Sequence, residues 1–289
     1  MQLQSIITLA SKPVELMFRA MERSLRATGC DLPVRVIPFS DDRFDLPEGS
    51  EWWEIPEFIS WIDTAGRRPV MRKYQALLGS NYQFVDTDVI FLRNPQDVLS
   101  PHSGFVTSCT HWHNPDQTVT SESRAILQNR STIWQSRVFN TGQFASEEQL
   151  YTLNDLKKVA ADKRYRRTIL EDSFHEQPGI NLLVNLSRTP ITNRTLTPMQ
   201  MESTWAGDYL DEDYNRYWVD EEKKPYLIHW AGRKMQEDQA IAQLFFQYLS
   251  KEEREDFINQ NSIPEERNTI TLRLKRAIRL FLRELRKKS

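Results

Sequence analysis

Residues 82–92 read Tyr-Gln-Phe-Val-Asp-Thr-Asp-Val-Ile-Phe-Leu, a mostly apolar run with two aspartates in its middle. The β-branched and aromatic residues of Tyr82–Val85 and Val89–Leu92 predict a strand on each side of Asp86-Thr87-Asp88. Alternate side chains of an extended segment share a face, so both carboxylates are expected on one side. Open α/β sheets bind their ligands at the carboxyl ends of parallel strands, and this run predicts such a site.

The rest of the chain alternates between strand and helix patterns. Ile6–Leu9 predicts a first strand, Pro13 opens a helix with one apolar stripe, and Leu32–Phe39 predicts a second strand. Further predicted elements are helices at 70–79, 150–161 and 238–249, a buried helix start at 179–184, and strands at 105–109, 137–139 and 226–230. Residues 43–68, rich in Trp, Pro and charge, are predicted to be irregular. This alternation predicts an α/β fold with parallel strands.

The composition excludes several classes of protein. The 289 residues include 38 Lys and Arg against 40 Asp and Glu, a net charge of −2, and no apolar run approaches the roughly 20 residues of a membrane span. Cys30 and Cys109 are too few for a disulfide framework, and the N-terminal apolar run is too short for a signal peptide. We therefore expect a cytoplasmic protein. His111-Trp112-His113 lacks partners at zinc-ligand spacing and is interpreted as an aromatic loop near an acceptor.

The charge is distributed unevenly along the chain. Residues 267–289 contain nine Lys or Arg and one acid, which leaves 29 basic and 39 acidic residues in 1–266. Apolar residues of the tail recur at helical spacing between its basic ones, a pattern typical of a helix that lies on an anionic membrane surface. Packing of the apolar stripe against the body is the alternative. The acidic body argues against nucleic acid as a partner.

Paired carboxylates after a strand suit a hard divalent cation, Mg²⁺ or Mn²⁺, that also binds a diphosphate. An isolated Asp-x-Asp equally fits two aspartates that cap a turn, so the interpretation depends on the surrounding motifs. Lys73 precedes Asp86-Thr87-Asp88 on a predicted helix. Three motifs follow in order: Val-Phe-Asn-Thr-Gly at 138–142, Glu-Gln-Pro-Gly-Ile-Asn at 176–181 and Ile-His-Trp-Ala-Gly at 228–232.

In this order the motifs resemble those of GT-A-fold glycosyltransferases that use nucleotide-diphospho-sugars. The layout is most similar to the glycogenin-like and bacterial galactosyltransferase (family 8-like) group. The resemblance extends from about residue 5 to about residue 234. It implies a GT-A, Rossmann-like α/β catalytic domain at 1–266 with a mostly parallel central sheet, followed by the basic amphipathic helix at 267–289.

The resemblance also implies a role for each matching residue. Asp88 would bind the metal, Asp86 would bind the metal, the donor ribose or both, and His229 would complete the site for Mn²⁺ or Mg²⁺. The expected donor-binding residues are Thr8, Lys73, Asp86, Asn140, Gly142, Gly232 and Lys234, with Arg233 as the alternative to Lys234 on the diphosphate. Glu176 and Gln177 match a catalytic pair beside the anomeric carbon, in which the family has Asp in place of Glu176.

The expected activity is therefore metal-dependent transfer of a sugar, with a UDP-sugar as the leading donor and retention at the anomeric carbon. The acceptor would be a hydroxyl, of a lipid-linked or envelope glycan if the tail binds a membrane. One alternative is a haloacid-dehalogenase-type phosphatase, although that family has its nucleophilic Asp on the first strand and residues 5–10 contain no acid. The other is a non-catalytic carbohydrate-binding or membrane-adaptor protein. Four aromatic residues either stack on sugars or pack onto the body: Trp52, Trp53, Phe58 and Trp61.

Overall fold

The computed structural model describes residues 1–171 and 175–261. These residues belong to two compact units, of which the first is Met1–Tyr248 and the second begins at Leu249. The predicted basic helix and its boundary at 266/267 lie outside the described residues. Within the described part of the chain, no helix is both long and apolar enough to cross a bilayer.

The first unit alternates strands with helices, as the sequence predicts. Its strands are β1 (Ser5–Ala10), β2 (Val34–Pro38), β3 (Ser50–Trp52), β4 (Tyr82–Val85), β5 (Val89–Phe91), β6 (Phe105–Thr107), β7 (Gln143–Ser146), β8 (Ile191–Asn193) and β9 (Leu227–His229). Its α-helices are α1 (Glu15–Ala27), α2 (Pro56–Ala65), α3 (Pro95–Leu99), α4 (Ser121–Arg130), α5 (Leu153–Ala161), α6 (Arg166–Leu170), α7 (Gln177–Ser187) and α8 (Gln243–Phe246). The second unit contains α9 (Lys251–Asn261).

Short 3-10 helices complete the first unit. They span Lys12–Val14, Pro69–Leu78, His111–His113, Pro115–Gln117, Trp134–Arg137, Ala206–Asp208, Tyr214–Tyr217 and Ala240–Ala242. The longest of them, Pro69–Leu78, stands where the sequence predicts an α-helix at 70–79. Its ten residues lead directly toward β4 and the two aspartates.

Seven strands form one sheet in the order β3-β2-β1-β4-β7-β6-β8. All neighbouring pairs are parallel except the two that involve β7, which is antiparallel to β4 and to β6. Strands β5 and β9 form a separate antiparallel pair. The mixed α/β fold with a mostly parallel central sheet is confirmed.

Both faces of the large sheet are buried, which explains why its strands are apolar runs. Alternate residues of β1 enter different cores, because Ile6 packs with Phe18 of α1 on one face and Ile7 packs with Tyr74 on the other. Because both faces of the sheet are covered, polar side chains reach solvent at the ends of the strands.

Three sequence predictions of local structure are wrong. Residues 43–68 are not wholly irregular, since they contain β3 and α2, and α2 starts at Pro56 and buries Phe58 and Ile62 one turn apart. The predicted helix at 238–249 is reduced to a 3-10 turn followed by α8. The predicted strand at 137–139 is absent, and the nearest strand, β7, starts at Gln143.

The missing strand has a specific cause. The Asn181 amide of α7 accepts a hydrogen bond from the Phe139 backbone N–H at 2.9 Å and donates one to the Phe139 carbonyl at 2.8 Å. A single side chain therefore satisfies both backbone groups that a neighbouring strand would bind. The apolar pair Val138-Phe139 is buried, as its sequence indicates, without pairing in a sheet.

Candidate active site

Two strand ends bring Asp86, Asp88 and His229 together. Asp86 directly follows β4, and its backbone N–H donates to the Gly142 carbonyl at 2.8 Å. Val89 of β5 pairs with His229 of β9, and the Trp230 N–H donates to the Asp88 carbonyl at 3.0 Å. The register of this strand pair places His229 beside Asp88, although the two are far apart in the chain.

The three side chains form a compact cluster of possible metal ligands. His229 Nε2 lies 3.2 Å from Asp88 Oδ1 and 3.9 Å from Asp86 Oδ2. One ligand atom from each residue lies within 4.8 Å of the other two. Across residues 1–171 and 175–261, this is the one group of three or more His, Cys, Asp or Glu residues close enough to hold a metal. Two carboxylates and an imidazole form a mixed oxygen and nitrogen donor set that could hold a divalent metal ion.

The three side chains of the cluster, of which His229 is buried and the two aspartates are partly exposed, perturb one another's pKa values. Burial lowers the pKa of His229, but the Asp88 and Asp86 carboxylates outweigh this effect and raise it above its usual range. Burial raises the pKa of Asp88, but His229 outweighs it and holds that pKa below its usual range. Burial is also the main reason why the pKa of Asp86 is raised. Without a metal, the cluster therefore favours a charged His229 paired with a charged Asp88.

Lys73 places a buried ammonium group behind the cluster. Its side chain is 4% exposed, and Nζ lies 2.8 Å from Asp86 Oδ1 and 2.6 Å from Glu176 Oε1. Nζ also donates to the Thr141 carbonyl at 3.4 Å. Burial lowers the pKa of Lys73, but its two carboxylate partners raise it above its usual range. An ammonium has three N–H donors, and here all three have protein acceptors.

Glu176 and Gln177 stand at the start of α7 in different environments. Glu176 is buried, and its Oε1 accepts from Thr141 Oγ1 at 2.8 Å in addition to Lys73. Burial raises the pKa of Glu176, but Lys73 outweighs it and lowers that pKa below its usual range. Gln177 Oε1, in contrast, is buried and has no hydrogen-bond partner among the described residues. The Glu176 carboxylate is held by the protein, whereas the Gln177 amide oxygen has no partner in the described part of the chain.

The floor of the site is formed by the turn at 140–142. The Asn140 side chain accepts from the Gly142 N–H at 2.8 Å, which fixes the turn. A Cβ atom on Gly142 would lie 2.1 Å from His229 Cε1 and 2.6 Å from Asp86 Oδ2. Any larger residue at this position would therefore displace two members of the cluster.

The structure brings nine of the eleven predicted site residues around one cleft of about 260 Å³. These nine are Lys73, Asp86, Asp88, Asn140, Gly142, Glu176, Gln177, His229 and Gly232. Thr8 is buried within β1, and its neighbour Leu9 lines the cleft instead. Lys234 is exposed beyond Gly232 and does not line the cleft. The roles assigned to the eleven residues stay predictions.

Sequence reasoning missed Thr141 and Val70, which also line the cleft. Thr141 links Glu176 to the turn at 140–142, and its position between two predicted site residues was the available signal. Of the four aromatic residues that could stack on sugars, Phe58 is fully buried and packs edge-on against Trp61. Trp53 and Trp61 pack partly buried against one core and Trp52 against the other.

A family model described as a nucleotide-diphospho-sugar transferase matches residues 60–240, well over half of the chain. Among solved structures, the apo form of the WbbM bifunctional glycosyltransferase superposes with a TM-score of 0.58 at 12% identity, covering 90% of this chain and 52% of that chain. This similarity concerns the fold. No curated protein matches the chain.

Two structures of the glycosyltransferase GlyE from Streptococcus pneumoniae are also similar. The apo form has a TM-score of 0.47 at 10% identity, and the other structure has 0.45 at 9%. Each comparison covers 86% of this chain and 60% of GlyE. The chain thus spans between about half and three fifths of the length of the structures it matches.

Proposed function

Because the chain belongs to the nucleotide-diphospho-sugar transferase family, we propose that it transfers a sugar from a nucleotide-diphospho-sugar to an acceptor hydroxyl with the help of a divalent metal. The observation that carries the metal dependence is the cluster of Asp86, Asp88 and His229 at the cleft. The family match does not favour the phosphatase or the non-catalytic alternative.

In this proposal Asp86, Asp88 and His229 hold Mn²⁺ or Mg²⁺. When bound, the metal would offset the negative charge that develops on the departing nucleotide diphosphate. His229 must give up its proton to act as a ligand, since a protonated imidazole has no free lone pair. Lys73 maintains the orientation of Asp86 by holding Oδ1, so that Oδ2 faces His229.

The Glu176–Gln177 pair supplies the groups nearest the reacting sugar. Gln177 is proposed to contact the sugar, because it lines the cleft and its amide oxygen has no hydrogen-bond partner among the described residues. Glu176 is proposed to fix the start of α7 through Thr141 and Lys73, with its carboxylate charged. With Gln177 or Glu176 on the far face of the sugar, transfer would proceed with retention, as in the family 8-like group that the motifs resemble.

Nucleotide release from UDP-, GDP- and ADP-sugars, measured with Mn²⁺ and without it, tests this function. We expect one nucleotide class, with UDP as the leading candidate, to be released at the highest rate, and chelation by EDTA to abolish the release. Release of any nucleotide at the same rate after chelation would contradict the metal dependence. Hydrolysis of a phosphate monoester without sugar-dependent release would favour the phosphatase alternative.

The acidic body at 1–266 and the basic segment at 267–289 are further proposed to act as separate domains. The net charge of the segment supports adsorption to the cytoplasmic face of an anionic membrane, where a lipid-linked or envelope acceptor would be found. Each basic residue near such a surface contributes about 1 kcal/mol. We expect the full chain to float with anionic liposomes and residues 1–266 to remain in the dense fraction. Equal flotation of both would contradict the proposal.

A further inference from the structure

The side chain of Asn181 on α7 joins two separate segments of the candidate active site. It is fully buried, with 0% exposure. Its amide oxygen accepts from the Phe139 N–H at 2.9 Å, and Nδ2 donates to the Phe139 carbonyl at 2.8 Å. Nδ2 also donates to the carbonyl of Gln177, one helical turn earlier, at 3.0 Å. An amide nitrogen carries two N–H donors, and here one is used for each segment.

The first of these segments leads into the cluster of possible metal ligands. Asn140 directly follows Phe139, and its side chain accepts from the Gly142 N–H at 2.8 Å. The Gly142 carbonyl in turn accepts from the Asp86 N–H at 2.8 Å. The turn at 140–142 is therefore tied to the cluster by hydrogen bonds of its own, and Phe139 extends from a fixed point.

The second segment is the start of α7, which carries Gln177. Glu176 is the N-cap residue of this helix and makes no side-chain capping hydrogen bond, and Pro178 has no backbone N–H to donate. Gln177 Oε1 has no hydrogen-bond partner among the described residues. The location of the Gln177 amide therefore depends on the backbone that carries it, and Asn181 holds that backbone through its carbonyl.

Two links of different chemistry thus join α7 to the segment at 138–142. One is charged, because Glu176 Oε1 accepts from Thr141 Oγ1 at 2.8 Å and pairs with Lys73 at 2.6 Å. The other is the neutral amide of Asn181. The charged link holds the side chain of Glu176, whereas the neutral link holds the backbone of the next residue. An amide does not titrate, so the neutral link is independent of pH while the protein is folded.

We propose that Asn181 is a positioning residue for sugar transfer. By tying the Gln177 carbonyl to the backbone of Phe139, it sets the distance between the Gln177 amide and the cluster of possible metal ligands. This inference rests on the proposed function, in which Gln177 contacts the sugar and the cluster lies at the diphosphate. The separation of these two groups matters because a displacement of about 1 Å can lower a rate about 10²-fold.

Two variants of Asn181 and one matched control test the proposal. Asn181→Leu keeps a side chain of similar size and removes all three hydrogen bonds. Asn181→Asp retains an oxygen that accepts from the Phe139 N–H and loses both donors, so it remains informative if the leucine variant does not fold. Asn185→Leu is the control, because Asn185 lies one turn further along α7 and its amide donates to the Asn181 carbonyl at 2.9 Å.

The kinetic experiment measures nucleotide release by the full chain with Mn²⁺, using whichever of UDP-, GDP- and ADP-glucose is cleaved fastest. We expect both Asn181 variants to lower kcat, Asn181→Leu by about 10²-fold, with KM and the calorimetric affinity for UDP nearly unchanged. Asn185→Leu should leave all three quantities unchanged. A double variant with Gln177→Ala tests whether Asn181 acts through Gln177. Once Gln177 is replaced, Asn181→Leu should lower kcat no further.

Hydrogen exchange followed by mass spectrometry tests the link without any substrate. We expect Asn181→Leu to increase exchange at both ends of the link, in the peptide that contains Phe139 and in the peptide that covers residues 177–181. Asn185→Leu should leave exchange at Phe139 unchanged.

Additive losses of kcat in the double variant would overturn the inference, since Asn181 would then act independently of Gln177. Loss of UDP affinity in step with kcat, or faster exchange at one end of the link alone, would overturn it as well. If the unmodified protein released no nucleotide from any of the three donors, the proposed function would be contradicted instead. Hydrogen exchange would still decide whether Asn181 joins the two segments.

Discussion

Replacement of Asp88 by alanine is expected to lower sugar transfer about 10³-fold. A metal that stabilises charge on the leaving group contributes several kcal/mol to the transition state, and each 1.36 kcal/mol changes the rate tenfold. Asp88 Oδ1 lies 3.2 Å from His229 Nε2, so its loss would remove one of the three proposed ligands and the hydrogen-bond partner of the imidazole. Nucleotide release with Mn²⁺, together with calorimetric Mn²⁺ binding, measures both effects.

Two further variants make the Asp88 result interpretable. Asp88→Asn keeps the size of the side chain and removes its charge, so it should also lose Mn²⁺ affinity. Asp31→Ala removes an exposed aspartate on a loop and should leave release unchanged. Thermal unfolding of each variant confirms that the fold is retained. Turnover of Asp88→Ala within threefold of the unmodified protein would show that Asp88 is not a metal ligand.

Replacement of Lys73 by methionine is expected to destabilise the protein by about 3–5 kcal/mol, the usual cost of leaving a buried charge without its partner. Lys73 is buried and contacts the carboxylates of Asp86 and Glu176 at 2.8 and 2.6 Å. Methionine fills a similar volume and offers neither charge nor donor. Urea unfolding monitored by tryptophan fluorescence measures the change, with Lys163→Met, at an exposed position, as the control.

The pH dependence of this variant distinguishes lost charge pairing from lost packing. In the unmodified protein the pKa of Glu176 is lowered: burial raises it, and Lys73 outweighs burial. Without Lys73, burial dominates and that pKa rises above the unfolded value of about 4.3. A carboxyl group with a raised folded-state pKa destabilises the fold as pH increases through it. The stability gap between Lys73→Met and the unmodified protein should therefore narrow from pH 7 toward pH 4. A difference in stability that stays constant between pH 7 and pH 4 would indicate that the variant loses packing and no charge pairing.

The sequence predicts correctly those elements of the fold in which consecutive residues are buried. Residues 82–85 are buried on both faces of the sheet, so their apolar run predicts β4 correctly. The alternating elements likewise predict the mixed α/β class. Helix α4 was missed because Ser121–Arg130 is mostly polar and buries only Ser123 and Leu127, which leaves no apolar stripe to detect.

The candidate site likewise combines residues whose proximity can be predicted from sequence with residues whose proximity cannot. Asp86 and Asp88 are neighbours along one strand end, so their proximity follows from local geometry. Lys73, Glu176 and His229 reach them only through the tertiary structure, and their selection depended on motif order. Spacing does not show that Lys73 is enclosed by two carboxylates and a carbonyl, because these contacts come from three separate segments.

The pairing of β5 with β9 has a consequence for the order of events during translation. About 140 residues separate Asp88 from His229, so a ribosome adding about 5–20 residues per second needs roughly 7–30 s to travel between them. Throughout this interval the nascent chain presents two aspartates without the histidine. Lys73, synthesised just before them, is already present to pair with Asp86. In the proposed metal site, a divalent ion could therefore bind all three ligands only late in synthesis, after the strands of the large sheet have left the ribosome.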